Sequence, residues 1–465
     1  MKKFTSLFVV VSIILLAGLG CKKPNSNYKV TLDMWGTFDN NNAYTDEIEA
    51  YLDIDKNVKS ITYHKYTLES YKEDLLNALA AGNGPDIFMI QNSWMPDFMD
   101  KVVPAPDYMM TEQEFRNTFV DVAASDLVYD GKIYGVPLSV DSLALYYNKD
   151  IFNAAGVTRP PKTWSEFDGI VKRLTKIDEF GNFAQSGAAI GTAFNVNRSM
   201  DILTALMMQE GAEMSRRDGT VLFAEPVNKG IPGERALRYY TSFASASSPV
   251  YTWNKKQNYS IDAFFEEKAA MMINYSWHYD TIKAKNAKLN FAVAELPQKT
   301  LDTIGSQANI ANYWVFVVAK NKQPTQINDP RAVIVTDEMR VHEAWQFLRA
   351  MAFPSASGVT LTNFMNGESL VYTLPFDLTE KYLEKTGKPA ARRDLIDKQK
   401  TDLKLGAFVK GNLIARSWWR NDAEAVDAIF ADMIDNVNTG TLSPRKSLEL
   451  GAKRVQQLMK RSVQE

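Results

Sequence analysis

Tyr28 to Trp35 alternates apolar and polar positions. Val30, Leu32 and Met34 share one face, and Thr31 and Asp33 share the other. That period of two predicts a strand. Val58 to Tyr63 predicts a second strand, and a helix starting near Tyr44 lies between them. Ser70 and Glu73 form a capping box, and Tyr71, Leu75, Leu76 and Leu79 then recur at helical spacing. Gly82 stops that helix. Gly84-Pro85-Asp86 leads into Ile87 to Ile90, an unbroken apolar run of the kind a buried parallel strand needs. Strand, helix, strand in this order predicts a mostly parallel sheet. Ligands of such sheets bind beyond the carboxyl ends of the strands. Here those ends are Thr37 to Asn40 and Gln91 to Trp94.

The next stretch changes character. Asp130-Gly131 is a turn signal, and Lys132 to Val136 suits the return strand of a hairpin. Pro137 ends that strand because it has no N–H to donate. Leu143 to Tyr147 is a second apolar run, short enough for a buried strand. Thr163 and Glu166 cap a helix whose Trp164, Phe167, Ile170, Val171 and Leu174 lie on one face. A segment that leaves one sheet and enters another, with the lone acid Asp141 between them, predicts a crossing between two lobes.

Further on, Gly187 to Asn197 is rich in Gly and Asn, and Met200 to Gln209 is a helix. Ala269 to Asn274 and Phe291 to Leu296 read as strands, and Tyr275 to Tyr279 stands at the carboxyl end of the first. Asn312 to Ala319 reads as a strand returning to the first lobe, and a helix around His342 to Met351 follows. Thr379 to Lys404 is charged and mostly helical. Val426, Ile429, Phe430 and Met433 mark a helix after Trp418-Trp419, and Ser443-Pro444 opens the last one.

Composition narrows the function. In 465 residues, 45% hydrophobic and 23% charged with a net charge of −2, there is room for two or three domains and a large core. Near-neutral charge argues against nucleic acid, which wants a basic face. Three His residues show no ligand spacing, and no HExxH, GxSxG or Walker-type loop occurs. Neither a metal, a cofactor nor an enzyme is expected. The N-terminus runs Met1-Lys2-Lys3, then an apolar stretch from Leu7 to Leu19, then Gly20-Cys21. That apolar stretch is too short to span a bilayer as a helix and suits a signal peptide. Cys21 is the only cysteine, so disulfides and Cys–metal sites are excluded. Its place resembles a lipobox, which implies acylation there.

The segment Asp130 to Asp150, with Pro160-Pro161 and Thr163-Trp164, resembles the first inter-lobe crossing of the family 1 extracellular solute-binding proteins, the maltose-binding-protein type. Gly84-Pro85-Asp86-Ile87, Phe264 to Trp277 and Asp435 to Leu448 extend the resemblance along the mature chain. It implies a periplasmic-binding-protein-like α/β fold, with two lobes of mostly parallel sheets joined by a multi-strand hinge. The expected divisions are a lipoprotein signal peptide at 1–20 and a tether at 21–27. The first lobe would take 28–138, the second 139–305, a return to the first 306–360, and the second lobe and hinge 361–465. The implied function is that of a monomeric, lipid-anchored, extracytoplasmic receptor of an ABC importer. It would bind a carbohydrate by hinge closure and deliver it to the permease subunits. A peptide, a polyamine or another polar solute is the alternative ligand.

Sugar recognition needs flat aromatic faces for the pyranose ring and planar polar groups for its hydroxyls. The resemblance aligns Trp277 with the family's stacking aromatic and Asp141 with its ligand-contacting acid. The strand ends supply Thr37, Phe38, Asp39, Gln91, Asn92, Trp94 and Tyr279. Trp418 and Trp419 match the family's late aromatic pair in kind, one as a ligand ring and the other as core; Arg416 is a further candidate, and Asn195, Asn197 and Trp253 are weaker ones. A glycosidase or surface adhesin on the same scaffold is the competing class. For a glycosidase, Asp39 and Asp141 would be the two carboxylates facing across the cleft.

Overall fold

The computed structural model describes residues 28–228, 230–301, 306–320 and 334–461. The expected signal peptide and tether, with Cys21, lie outside the described residues. The alternating stretch forms the strand Val30–Gly36, which pairs in parallel with Val58–Lys65 and with Ile87–Gln91. Helices Thr45–Ile54 and Leu68–Ala80 make the two crossovers. The second helix starts earlier than the Ser70–Glu73 pair suggests. Thr67 takes the extended N-cap conformation and accepts the N–H of Tyr71, while the Ser70 hydroxyl sits inside the first turn, 3.1 Å from that of Thr67. Trp314–Ala319 adds antiparallel to Ile87–Gln91, and Val102–Val103 completes the five-stranded sheet beside it.

In the second lobe Ala144–Asn148 lies between Met271–Asn274 and Phe291–Glu295, antiparallel to both. Two α/β lobes are therefore present, but their sheets are mixed where mostly parallel ones were expected. The two reversed strands, Ala144–Asn148 and Trp314–Ala319, are those that follow a crossing. A lobe's own strands run toward the cleft and are linked by helices on the far side. A strand arriving from the other lobe enters its sheet at the cleft and must run away from it.

Two separate apolar cores mark the lobes. One gathers buried residues from Tyr28 to Val140 and from Ala311 to Ile396. The other gathers those from Leu143 to Ile310 and from Trp418 to Met459. Residues 361–396, expected with the second lobe and hinge, thus pack in the first core through Leu374, Leu378, Tyr382, Leu383, Leu395 and Ile396. The Tyr382 ring stacks on Tyr44 at 5.4 Å, and Lys385 reaches the buried Glu47 at 2.8 Å. These partners lie more than 300 residues away, so the charged helix gives no local hint of its lobe.

The described residues cross between lobes three times, and the crossings pair with one another. Asn309–Asn312 runs antiparallel to Asp141–Ser142 and parallel to Ala415–Arg416. The Asn309 side chain ties the first two crossings together, donating to Leu143 O at 2.8 Å and accepting from Leu143 N at 3.2 Å. The third crossing needs a glycine. A Cβ on Gly411 would lie 2.5 Å from Ser142 Oγ and 2.8 Å from Asn309 Nδ2.

Candidate functional site

The first crossing places Asp141 at the hinge, buried, where it joins the second lobe. Ser276 donates to its Oδ2 from the backbone N–H at 2.9 Å and from Oγ at 2.6 Å, and Ser142 N donates to Oδ1 at 2.9 Å. Burial pushes the carboxyl up to about 7, against the pull of those bonds and of Arg198. Its folded-state value thus lies above the unfolded one. The stabilisation it gives is complete below about pH 4 and lost as pH rises through about 7. Asp141→Asn is expected to remove about 2–4 kcal/mol of that pH-dependent stability difference. Denaturant unfolding of both proteins at pH 4.5 and pH 8 measures it, and parallel curves would refute the assignment.

Ser276 lies two residues beyond the strand Met271–Asn274, and the next residue is Trp277. Its ring is 42% exposed and stacks on Tyr275 at 4.6 Å with an 18° interplanar angle. The Arg198 guanidinium lies 5.3 Å from the Trp277 ring centre and 5.7 Å from that of Tyr275. Arg198 adopts a left-handed backbone, φ 63°, at the N-cap of the helix Ser199–Gln209. That conformation is uncommon for a residue with a side chain. Arg198 and Arg420 both act on Asp427, whose carboxyl burial raises to about 6. Arg420 in turn lies 5.1 Å from the Trp418 ring centre. A chain of rings and charges therefore connects Trp277 to Trp418.

Trp418 and Trp419 line a cavity of about 150 Å³ between the lobes. The first lobe contributes Asn92, Ser93, Met95, Pro96, Ser125, Asp126 and Tyr129, and the second contributes Ser215 and Arg217. Asp126 is bonded by Asn92 Nδ2 at 3.1 Å, Tyr313 Oη at 2.7 Å and the Ser417 hydroxyl. Burial still raises its carboxyl above the usual range, against those bonds and the Arg217 charge. Arg217 spans the lobes. Its guanidinium lies 4.2 Å over Tyr129 and donates to Val128 O at 3.1 Å and to Ser125 O. Trp419 meets the same Tyr129 ring edge-on at 5.7 Å.

Several buried polar atoms around this region have no protein partner. They are Ser93 Oγ, Arg198 Nε, both ring nitrogens of His278, Trp418 Nε1 and Arg420 Nε. Buried polar groups are usually hydrogen-bonded, so such atoms mark places suited to a polar guest. Burial and Arg198 pull the His278 imidazole down to about 4, which keeps it neutral at physiological pH.

The sequence candidates divide accordingly. Trp418, Trp419 and Asn92 line the cavity, Trp418 from within the second-lobe core, whereas Trp277 lies on the second lobe beside Tyr275 and Arg198. Phe38 is 48% exposed and sits edge-on to Trp314 at 5.1 Å. Thr37 is buried, its hydroxyl unpartnered. Gln91 Nε2 donates to Asn312 Oδ1 at 3.1 Å, beside the hinge. Asp39 is committed to the interior of the first lobe. Tyr44, Tyr382 and Lys388 bond it at 2.7, 2.8 and 2.6 Å. Burial raises its pKa, but Lys388 and these bonds outweigh that and hold the carboxyl below its ordinary range. Trp94 is buried against Trp314 and Phe98, and Tyr279 packs on Phe291. Arg416 is exposed, with a long contact to Gln307 O at 3.4 Å. Trp253 is fully buried and donates to Asn195 Oδ1 at 3.0 Å, so this pair is structural. Asn197 accepts from Asn274 and donates to Tyr259 Oη. Sequence reasoning missed Arg198, Arg217, Asp126, Tyr129 and Asp427.

Among the described residues, no helix is long and apolar enough to cross a membrane, and no group of three or more His, Cys, Asp or Glu is placed to hold a metal. Two lobes, three paired crossings and an aromatic, charged region between them are the build of a solute receptor. The family model for bacterial extracellular solute-binding proteins matches residues 43–357, and the chain belongs to that family. A putative binding protein of Brucella abortus (strain 2308) is 24% identical over 60% of this chain, which spans 66% of that relative's length. The galactooligosaccharide-binding protein of Bacillus subtilis is 21% identical over 70% of this chain and 75% of its own. The crystal structure of the cyclic alpha-maltosyl-1,6-maltose binding protein from Arthrobacter globiformis superposes with a TM-score of 0.70 at 18% identity. It covers 93% of this chain and 100% of that one.

Proposed function

We propose that this chain is the carbohydrate receptor of an ABC importer. It takes a mono- or oligosaccharide between its lobes, closes over it, and passes it to the permease subunits. It acts as a monomer outside the cytoplasm, held to the membrane by lipid on Cys21. The observation that carries the ligand class is the half-exposed Trp277, stacked on Tyr275 beside Arg198, with Trp418 and Trp419 across a string of charged groups. Flat rings beside buried, unpartnered donors suit a solute with an apolar ring face and many hydroxyls. The sugar-binding names of several relatives support the same class. A two-carboxylate hydrolase is disfavoured, because Asp39 and Asp141 are each engaged by three hydrogen bonds within the fold.

A thermal-shift screen tests this reading, since a ligand that binds only the folded state raises its melting temperature. At a hundred times its Kd, a matching sugar adds about 2.7 kcal/mol and shifts the transition upward by several degrees. A screen in which no sugar shifts the transition, while a peptide or polyamine does, would overturn the ligand class.

A further inference from the structure

The first lobe carries a hairpin whose second strand and turn expose apolar side chains. Val359–Thr362 pairs antiparallel with Ser369–Tyr372, and among the described residues no third strand joins them. Leu370 and Val371 are 51% and 66% exposed, and Phe364 and Met365 in the connecting turn are 38% and 39% exposed. A two-stranded hairpin ordinarily buries one face to be stable, and this one buries Val359 and Leu361 in the first core, while its second strand and turn leave Leu370, Val371, Phe364 and Met365 to water. Glu368 is the single charged residue between Val359 and Tyr372.

The hairpin lies beside the first described residue. Tyr28 interacts with the backbone of Phe364 and donates its hydroxyl hydrogen to Glu343. The neighbouring His342 bonds Thr362 O at 2.6 Å and Tyr108 Oη at 2.7 Å, with its ring 5.4 Å from that of Phe364. Tyr108 itself is 64% exposed. Seven residue steps separate Cys21 from Tyr28, and they reach at most about 25 Å.

We propose that this hairpin rests on the bilayer. The inference depends on the lipid anchor at Cys21 proposed above. An anchored Cys21 confines Tyr28 to within that reach of the headgroups, and the hairpin with it. Leu370, Val371, Phe364 and Met365 then enter the interface, with Tyr108 at headgroup level where amphipathic rings settle. A single negative charge among fourteen residues leaves little to desolvate. The contact would orient the receptor on the membrane.

The test uses the full, lipidated protein in phospholipid vesicles that hold no permease. Val371→Cys carries a bimane label, and Phe180→Cys, at an 80% exposed position of the second lobe, is the control. Both sites are exposed, and acylation blocks Cys21 from labelling. Spin-labelled lipid is expected to quench the Val371 position at least about threefold more than the control. Equal quenching at the two positions overturns the proposal, and would mean that a protein partner or water covers the hairpin. Flotation separates the two readings. A protein that does not float with vesicles removes the anchor as well, whereas one that floats without selective quenching removes the hairpin contact alone.

Discussion

Trp277→Ala is expected to weaken binding of the cognate sugar by at least about 30-fold, or about 2 kcal/mol. The ligand-free protein should keep its stability to within about 0.5 kcal/mol. The two effects separate because of where the ring sits. Trp277 lies on top of Tyr275 and fills no core position, so its loss leaves no cavity. It does remove the flat face that a pyranose ring would cover, and leaves Arg198 without one of its two aromatic neighbours. Trp277→Phe should recover part of the affinity, since a smaller ring retains stacking with less area. Isothermal titration calorimetry measures the affinity and thermal unfolding the stability. Unchanged affinity in the alanine variant would remove Trp277 from the site.

Arg217→Ala is expected to weaken sugar binding by about tenfold or more without changing any group at the Trp277 end. Arg217 belongs to the second lobe, but its guanidinium bonds carbonyls at the carboxyl end of the first-lobe helix Asp121–Leu127 and covers Tyr129. A cation there also meets the negative end of the helix dipole. Losing these contacts removes about 1–3 kcal/mol from the arrangement in which the lobes touch. The population of that arrangement falls in proportion, and a ligand that needs both lobes binds correspondingly less tightly. Arg217→Lys should restore only part, because an ammonium lacks the planar fork that serves two carbonyls and a ring at once. Equal affinity in all three proteins would show that the contact does not bias closure.

The sequence made the strand ends and the first crossing readable because both are local patterns. Alternation marks Val30 to Met34, and an apolar run after Pro85-Asp86 marks Ile87 to Ile90. Trp277 is legible as a candidate because it stands three residues beyond the end of a strand. The errors share one cause. Asp39 looks like a free acid until Lys388 and Tyr382 arrive from a segment more than 300 residues later. Trp94 and Trp253 look like ligand rings until packing turns them inward. Arg217 in Arg216-Arg217-Asp218-Gly219 reads as a solvated turn, and Asp126 as one polar position on a helix. Each is held by partners far away in the sequence, Arg217 by Ser125 and Val128 and Asp126 by Tyr313 and Ser417. The reversal of Ala144–Asn148 and Trp314–Ala319 follows from the crossings themselves, which local periodicity does not reveal.

Small-angle X-ray scattering of the wild-type protein, alone and saturated with the sugar that raises its melting temperature most, tests the central claim most directly. A saccharide gripped by both lobes draws them together, so the radius of gyration should fall as sugar is added, and Trp277→Ala should need at least about 30-fold more sugar for the same fall. Saturation of the wild type and Trp277→Ala at equal affinity, with identical curves in every state, would place the sugar outside the space between the lobes and contradict the account.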